Sequence, residues 1–331
     1  MLRKQRVCLA GLALLVGAFA YQAQGADLKY LPNDTEIILK FNIKQILNSE
    51  LVKGQKAILD QIKQQMDNNM PEEAAKYIKA IGFDLFRDLD SITVAGPGKK
   101  DPDAGLIIIQ GTFQPAKFYE AAAQAAKDHG DHLKISKSGD FKVLEIQAEG
   151  KTIYAAMISK TTILGSLKKE AFNAALARAT GKEKSVLKKN VKDLLQTVNA
   201  KQSISGIATG SALARALEDA PIPNAQAIGP ALAAIEGLSG ALTIGKDIQF
   251  QLGIGTKDEE TAKDFAQKAN FGLIVAKGLL AQKAKEDMKL LPLVDVLNTL
   301  RAEAKGSSLV LRAEVTVENI EKLIKSFNPN N

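Results

Sequence analysis

A strand-then-helix unit that recurs along the chain constrains its fold more than any other feature. The clearest copy, Gly105–Asp128, reads GLIIIQGTFQPAKFYEAAAQAAKD. It begins with an apolar run of strand length, Leu106–Ile109, passes through a polar hinge at Gly111-Thr112, and continues as a helical pattern. A unit of this kind buries one side of its strand and one side of its helix, so it must pack against further copies or other elements.

The pattern returns twice with similar clarity, at Asp247–Asn270 and Ser307–Phe327. Each copy carries a threonine between strand and helix: Thr112, Thr256 and Thr316. A threonine there can accept a hydrogen bond from a free backbone N–H of the helix, worth about 1 kcal/mol. Weaker copies lie at Glu36–Leu51, Thr161–Ala179 and Ser203–Leu217. Three units fall on each side of Ala200, which predicts an internal duplication.

These units predict an α+β protein in which antiparallel sheets carry helices on one face. The polar, Pro- and Gly-rich segment Gly96–Asp103 predicts an antiparallel hairpin with a long loop between the strands Asp90–Ala95 and Leu106–Gly111. We predict two related halves, residues 26–200 and 201–331. Whether these halves share one continuous sheet is left open by the pattern.

The first residues have the composition of a signal peptide. Arg3, Lys4 and Arg6 precede an apolar run, Val7–Ala20, which is short for a membrane span. Small residues at Ala23 and Gly25 suit a signal peptidase, so residues 1–25 are predicted to be removed, leaving no transmembrane span. The prediction is an exported protein, periplasmic or extracellular; the alternative is an uncleaved N-terminal anchor.

The remaining composition excludes several classes of site. Cys8 is the only cysteine, so the mature chain can form neither a disulfide nor a thiolate site. Aromatic residues make up only 5% of the chain and tryptophan is absent, which disfavours stacking sites for single-stranded nucleic acid. The net charge of +7 includes the three basic residues of the signal. We therefore predict no nucleic-acid partner, and no cofactor motif is present.

The chain resembles exported bacterial proteins with duplicated α+β domains, of the kind found in large paralogue families of planctomycete-like bacteria. The resemblance is carried by the signal peptide, by the opening Tyr30-Leu31-Pro32-Asn33-Asp34-Thr35, and by the paired strand–helix units. It extends over nearly all of the mature chain. It contains no catalytic motif and implies no activity.

Both histidines of the chain lie in one short run, DHGDH. Asp128, His129, Asp131 and His132 are four candidate metal ligands within five residues. The alternative is a hydrophilic helix end, where histidines interact favourably with the helix dipole. A Ser-His-Asp hydrolase would have to use His129 or His132, because the chain has no other histidine. No G-x-S-x-G motif occurs, and hydrolysis by carboxylates alone is the remaining possibility.

A strongly apolar stretch, Phe271–Leu280, reads FGLIVAKGLL. Phe271–Lys285 is predicted to be a buried helix that follows a separate helix, Lys257–Ala269. Its side chains could instead line a pocket for an apolar ligand; these candidate residues are Phe271, Leu273, Ile274 and Leu279. A basic cluster, Lys182–Lys192, could contact an acidic surface, but a solvated helix face is the favoured interpretation.

Together these features favour an exported, non-catalytic binding, scaffold or envelope-associated protein. One alternative is a carrier of a lipid or other apolar ligand, which requires an apolar cavity of several hundred Å³. A second alternative is a hydrolase that uses carboxylates or His129 and His132. A scaffold requires an exposed apolar patch or a free sheet edge.

Overall fold

The computed structural model describes residues 28–70, 72–199, 201–217 and 235–327. The predicted signal peptide lies outside these residues. The described part of the chain contains strands β1 (Ile37–Phe41), β2 (Leu89–Gly96), β3 (Leu106–Gly111), β4 (Leu133–Ser138), β5 (Phe141–Ala148), β6 (Lys151–Ser159), β7 (Thr162–Ser166), β8 (Ile204–Thr209), β9 (Gly237–Ile244), β10 (Ile248–Gly255), β11 (Arg301–Lys305) and β12 (Ser308–Val315).

All of these strands belong to one antiparallel sheet, in the order β11-β12-β10-β9-β8-β1-β2-β3-β7-β6-β5-β4. This confirms the α+β class with an antiparallel sheet. The two halves meet where β1 pairs with β8, with Leu39 opposite Gly206. The sheet is therefore continuous across the predicted boundary between the halves.

The helices are mostly short, and one is much longer than the rest. In chain order they are α1 (Ile43–Asn48), α2 (Glu50–Gly54), α3 (Lys56–Asn69), α4 (Glu72–Ile81), α5 (Leu85–Asp88), α6 (Pro115–Asp128), α7 (Lys169–Ala179), α8 (Lys189–Leu195), α9 (Gly210–Leu217), α10 (Glu259–Glu286), α11 (Leu291–Thr299) and α12 (Val317–Phe327). The 28-residue α10 contacts β11 and β12 at one edge of the sheet.

The hydrophobic core lies on one side of the sheet, which we call the core face. Ile108 of β3 and Leu164 of β7 sit opposite each other there and are fully buried. Helix α7 covers them, and α8 covers the same face over β8, β9 and β10. Phe172 of α7 and Leu194 of α8 are only 1% exposed. Burial of such side chains stabilises the fold by about 1.5–3 kcal/mol each.

Helices also cover part of the opposite side, the second face, which bears Ile92, Ile109 and Ile163. Helix α4 reaches these strands with Ile78, and α6 reaches them with Phe118. The expectation that helices lie on one face only therefore needs correction. Strand–helix alternation along a chain does not specify the side to which each helix returns, because connections can leave the sheet in either direction.

The recurring threonine caps a helix at one of its three strong positions. The Thr316 hydroxyl accepts a hydrogen bond from the Asn319 N–H at 3.2 Å, as predicted. At α10 the cap is Asp258, whose carboxylate accepts from Thr261. Thr112 lies two residues before the N-cap position of α6. The shared threonine is thus a weaker sign of common structure than its recurrence indicates.

Helix α10 replaces the two helices predicted at Lys257–Ala269 and Phe271–Lys285. Asn270 stays within the helix and donates from its side chain to the Ala302 carbonyl of β11 at 2.9 Å. Phe271 is 71% exposed, so the prediction that this region is buried is wrong. Apolar composition on all sides favours burial, but α10 lies at the sheet edge and has only one side to pack.

Glu36 connects the two halves by charge. Its carboxylate binds Lys188 at 3.0 Å and also Arg215, which belongs to the second half. Burial by itself raises the pKa of Glu36, but the hydrogen bonds from Lys188 and Arg215 outweigh it and hold the pKa below its ordinary value.

Replacing Phe172 should show how strongly the fold depends on the core face. We expect Phe172→Ala to lower the free energy of unfolding by about 3–5 kcal/mol, because it leaves a cavity beneath α7. The matched control is Phe271→Ala, which should change it by less than about 0.5 kcal/mol, since this ring is mostly in solvent. Chemical denaturation measures both; equal effects would contradict the assignment of the core.

Replacing Glu36 tests the charged link. We expect Glu36→Gln to lower the free energy of unfolding at pH 7 by about 1–3 kcal/mol, because two cations lose their shared anion. A lowered carboxyl pKa stabilises above the ordinary value of about 4.3 and loses that contribution as pH falls through the folded value. The difference between variant and wild type should therefore shrink below about pH 4. A difference that persists unchanged to pH 3 would contradict this role.

Candidate functional site

An apolar cavity of about 270 Å³ lies between the second face of the sheet and helices α4, α5 and α6. The atoms that line it expose no polar surface to it. Its lining is formed by ten apolar residues: Ile78, Ile81, Phe83, Leu85, Leu89, Ile92, Ile109, Phe113, Phe118 and Ile163.

The floor of this cavity follows from strand register. Ile92 of β2 sits opposite Ile109 of β3, which sits opposite Ile163 of β7. Side chains opposite each other on neighbouring strands point to the same face. Three isoleucines therefore form a row across three strands, all on the second face. The register shift between Leu89 and Ser91 brings Leu89 opposite Gly111 and adds it to the same face.

The walls and roof come from segments outside the sheet. Ile78 and Ile81, three residues apart on α4, lie on one side of that helix. The rings of Phe83 and Phe113 stack with centroids 5.5 Å apart and an interplanar angle of 24°. This pair joins the loop after α4 to the loop before α6, so segments far apart in the sequence line the cavity together.

A larger hollow of about 600 Å³ adjoins the cavity and shares Ile78, Phe83 and Leu85 with it. In contrast to the cavity, it has charged groups on its wall: Lys63, Lys79 and Asp84. The Lys63 ammonium lies 4.8 Å from the centre of the Phe86 ring. The two hollows together offer an apolar chamber beside a charged, solvent-facing region.

Asp128, the first of the candidate metal ligands, is engaged in holding α4 against α6. Its carboxylate accepts hydrogen bonds from Tyr77 at 2.9 Å, Lys76 at 3.1 Å and Gln124 at 2.8 Å. All three bonds lower the pKa of Asp128; the bond from Tyr77 has the largest effect, followed by those from Lys76 and Gln124. The end of α6 thus fastens the helix that supplies Ile78 and Ile81 to the cavity.

The other candidate ligands do not converge with Asp128. The His129 ring meets the edge of the Tyr77 ring at 6.3 Å between centroids. Asp131 and His132 are exposed, and the His132 N–H bonds to the His129 carbonyl in a turn. In the described part of the chain, no group of three or more His, Cys, Asp or Glu side chains is placed to hold a metal ion.

The candidate ligand-binding residues of α10 line none of the cavities described above. Phe271, Ile274 and Leu279 are 71%, 70% and 60% exposed, and Leu273 is half-buried. They form an open surface rather than an enclosed pocket, and their binding role stays a prediction. No described helix combines the length and apolarity that crossing a membrane requires.

A third hollow, about 730 Å³, lies in the second half and is lined largely by polar groups of β10, β12 and neighbouring loops. Several of its polar side chains are already engaged in hydrogen bonds or ion pairs. Arg312 donates to Gln251 at 3.2 Å and also binds Glu303, and Gln249 donates to Glu314 at 3.3 Å. Polar groups that satisfy each other in this way present few donors or acceptors to a ligand.

Sequence reasoning missed every residue of the apolar cavity. Ile92, Ile109 and Ile163 stand in segments recognised as strands, but pattern alone does not show that they align. Ile78 and Ile81 stand three residues apart, which is the spacing of one helix face, so their sequence was compatible with an amphipathic helix. What the pattern cannot supply is the side of the sheet on which that helix lies.

The contacts of Asp128 generate a prediction about α4. We expect Asp128→Ala to speed amide hydrogen exchange across Glu72–Ile81 at pH 7, because Tyr77 and Lys76 lose their shared acceptor. In the wild type the same loosening should occur at acid pH, since a lowered carboxyl pKa stabilises above about 3.9 and ceases to do so as pH falls through the folded value.

Asp131→Ala is the matched control, because Asp131 is exposed three residues further on and should leave exchange in α4 unchanged. Unchanged exchange in the Asp128→Ala variant would show that α4 is held by apolar contacts alone.

Comparisons with known proteins establish no family for this chain. No protein-family profile matches it, and no curated protein matches its sequence. Among solved structures it is similar to crystal form IV of TP0453, with a TM-score of 0.47, 9% identity, and coverage of 90% of this chain and 95% of that one. Crystal form I of TP0453 gives a TM-score of 0.41 at 10% identity, covering 92% and 98%. The resemblance to exported planctomycete-type paralogues stays a prediction.

Proposed function

We propose that this protein is an exported, non-catalytic binding protein whose ligand is an amphiphile with an apolar tail. The observation that carries the proposal is the cavity beneath α4, α5 and α6, which is lined by apolar side chains alone. The sequence favours an exported, non-catalytic binding, scaffold or envelope-associated protein, with a carrier of a lipid or other apolar ligand as the alternative. The proposal combines the binding function with that alternative.

The volume of the cavity suits part of an apolar molecule. An apolar cavity of about 150 Å³ can stay dry and bind a small hydrocarbon such as benzene. Drug-sized ligands occupy sites of roughly 300–1,000 Å³. At about 270 Å³, the chamber fits a short or partly inserted hydrocarbon chain. Water gains little there, because the lining offers it no hydrogen-bond partner.

The adjoining hollow indicates what the remainder of the ligand carries. Lys63 and Lys79 stand on its wall with Asp84, next to the three apolar residues that both hollows share. An ammonium group favours a negatively charged or strongly polar head group. The ligand class that best matches both hollows is a carboxylate or phosphate amphiphile with a single hydrocarbon chain.

Export and duplication belong to the same proposal. The signal-peptide pattern of residues 1–25 supports export. The strand order supports duplication: outward from the central pair it reads β1-β2-β3-β7-β6-β5-β4 on one side and β8-β9-β10-β12-β11 on the other, so five positions correspond and the first half adds β5 and β4. Helices follow β1, β3 and β7 in the first half, and they follow β8, β10 and β12 in the second.

Filling the cavity tests the binding function. We expect Ile109→Phe to weaken binding of a fluorescent fatty acid, cis-parinaric acid, by at least about tenfold, because the added ring occupies the space of the tail. Fluorescence titration measures the dissociation constant, and dodecanoate should displace the probe from the wild type.

Ile107→Phe is the matched control, since Ile107 lies two residues away on the same strand and face, is 38% exposed, and is absent from the cavity lining. It should bind the probe like the wild type. Equal binding by both variants, or an equal loss in both, would place the probe elsewhere and overturn the proposal.

A further inference from the structure

We propose that the exposed apolar stripe of α10 docks this protein onto the surface of an anionic lipid bilayer, with the helix lying in the plane of the interface. The stripe consists of Phe271, Ile274, Val275 and Leu279. It lies on the helix at the sheet edge and takes no part in the cavity beneath α4, so the two proposals stand or fall separately.

The stripe is a single helical face turned to solvent. Its residues follow the spacing i, i+3, i+4 and i+8, which places them on one side of a helix. They are 71%, 70%, 46% and 60% exposed. Contiguous exposed apolar residues of this size mark interaction sites more often than isolated ones do.

The opposite side of α10 carries small residues. Ala262, Ala266 and Ala284 are buried against the rest of the protein. Leu273 and Leu280, seven and fourteen residues after Ala266, lie on this same side and are half-buried. The bulky side chains that α10 leaves most exposed are therefore those of the stripe. Packing within the described part of the chain leaves the stripe exposed.

Charge around the stripe favours an anionic surface. Between Asp264 and Glu286 the helix carries four lysines and no acidic residue. Lys268 pairs with Asp264 at 2.7 Å, and Lys277 points to the carbonyls of Asn298 and Leu300. Lys283 and Lys285 are exposed beyond Leu279. Lysines beside bulky apolar residues are typical of helices that lie in a lipid interface.

A second copy of the chain is the less suitable occupant. A stable protein interface buries roughly 800 Å² per partner with close shape complementarity. Four side chains on about two and a half turns of one helix supply only part of that area. A bilayer needs no complementary shape, because acyl chains adapt to the side chains that enter them.

Vesicle flotation tests this proposal with the full chain, and in parallel with a chain that begins at Ala26, so that the apolar run near the N-terminus cannot cause binding. We expect the protein to float with phosphatidylcholine vesicles that contain about a third phosphatidylglycerol, and to float less with phosphatidylcholine alone. The double variant Phe271→Ser/Ile274→Ser should reduce the bound fraction at least about tenfold.

Two controls address other surfaces. Val186→Ser removes an apolar side chain that is 62% exposed and lies away from the stripe, and it should leave flotation unchanged. Lys283→Gln/Lys285→Gln should weaken binding to anionic vesicles, whereas Lys182→Gln/Lys184→Gln, from the basic cluster near α8, should not. Equal losses of vesicle binding in both lysine double variants would show that net charge alone drives binding, and this result would overturn the proposed docking site.

A spectroscopic measurement covers the case in which the serine variant fails to fold. The chain has no tryptophan, so Phe271→Trp gives a single fluorophore on the stripe. Its emission should shift to the blue on addition of anionic vesicles, whereas Val186→Trp should not shift. An unshifted Phe271→Trp spectrum, or a stripe-dependent dimer found by light scattering without vesicles, would overturn the proposal.

Discussion

The pairing of β1 with β8 is the constraint on which the rest of the structure depends. These strands are separated by more than 160 residues, yet they sit side by side in the middle of one antiparallel sheet, with Ile38 opposite Ile207 on the core face. Their pairing brings β1–β7 and β8–β12 into a single pleated surface. The charge contacts of Glu36 with Lys188 and Arg215 reinforce this junction at the end of β1. Without it, each half would expose the free edge of a strand, β1 in one half and β8 in the other, to solvent.

A sheet of this width has two large faces, and helices cover these two faces to different extents. The core face is closed by α7 and α8 over fully buried side chains such as Leu164. The second face is covered less tightly: helices α4 to α6 bridge it and leave an apolar cavity, and Val94 and Ile107 remain 38% exposed. The edge strands carry lysines and other charges, including Lys134 on β4 and Arg301 on β11, which discourage addition of a further strand. Room for a ligand therefore exists on the face that contributes less to the core.

Two sequence features acquired a different meaning in three dimensions. The run DHGDH looked like a metal site, but Asp128 holds α4 to α6 through Tyr77 and Lys76 and so supports the cavity roof. The apolar run at Phe271 was predicted to be a core helix or a pocket wall, but Phe271, Ile274 and Leu279 face solvent, while alanines of the same helix are buried. In both cases the composition of the run was correctly recognised as unusual, but only the packing showed what its side chains contact. The scaffold expectation required an exposed apolar patch, and the stripe of α10 is such a patch.

The sequence by itself determined the α+β class, the positions of most strands, and the β2–β3 hairpin, because period-two apolar patterns and Gly-containing turns are local properties. It also determined the absence of cysteine chemistry beyond Cys8. Tertiary structure alone decided that the halves share one sheet, that helices cover both faces, and that Ile92, Ile109 and Ile163 align beneath α4. Those outcomes rest on strand register and on the direction in which each connection leaves the sheet. Both depend on contacts between residues far apart in the chain, which a local pattern does not encode.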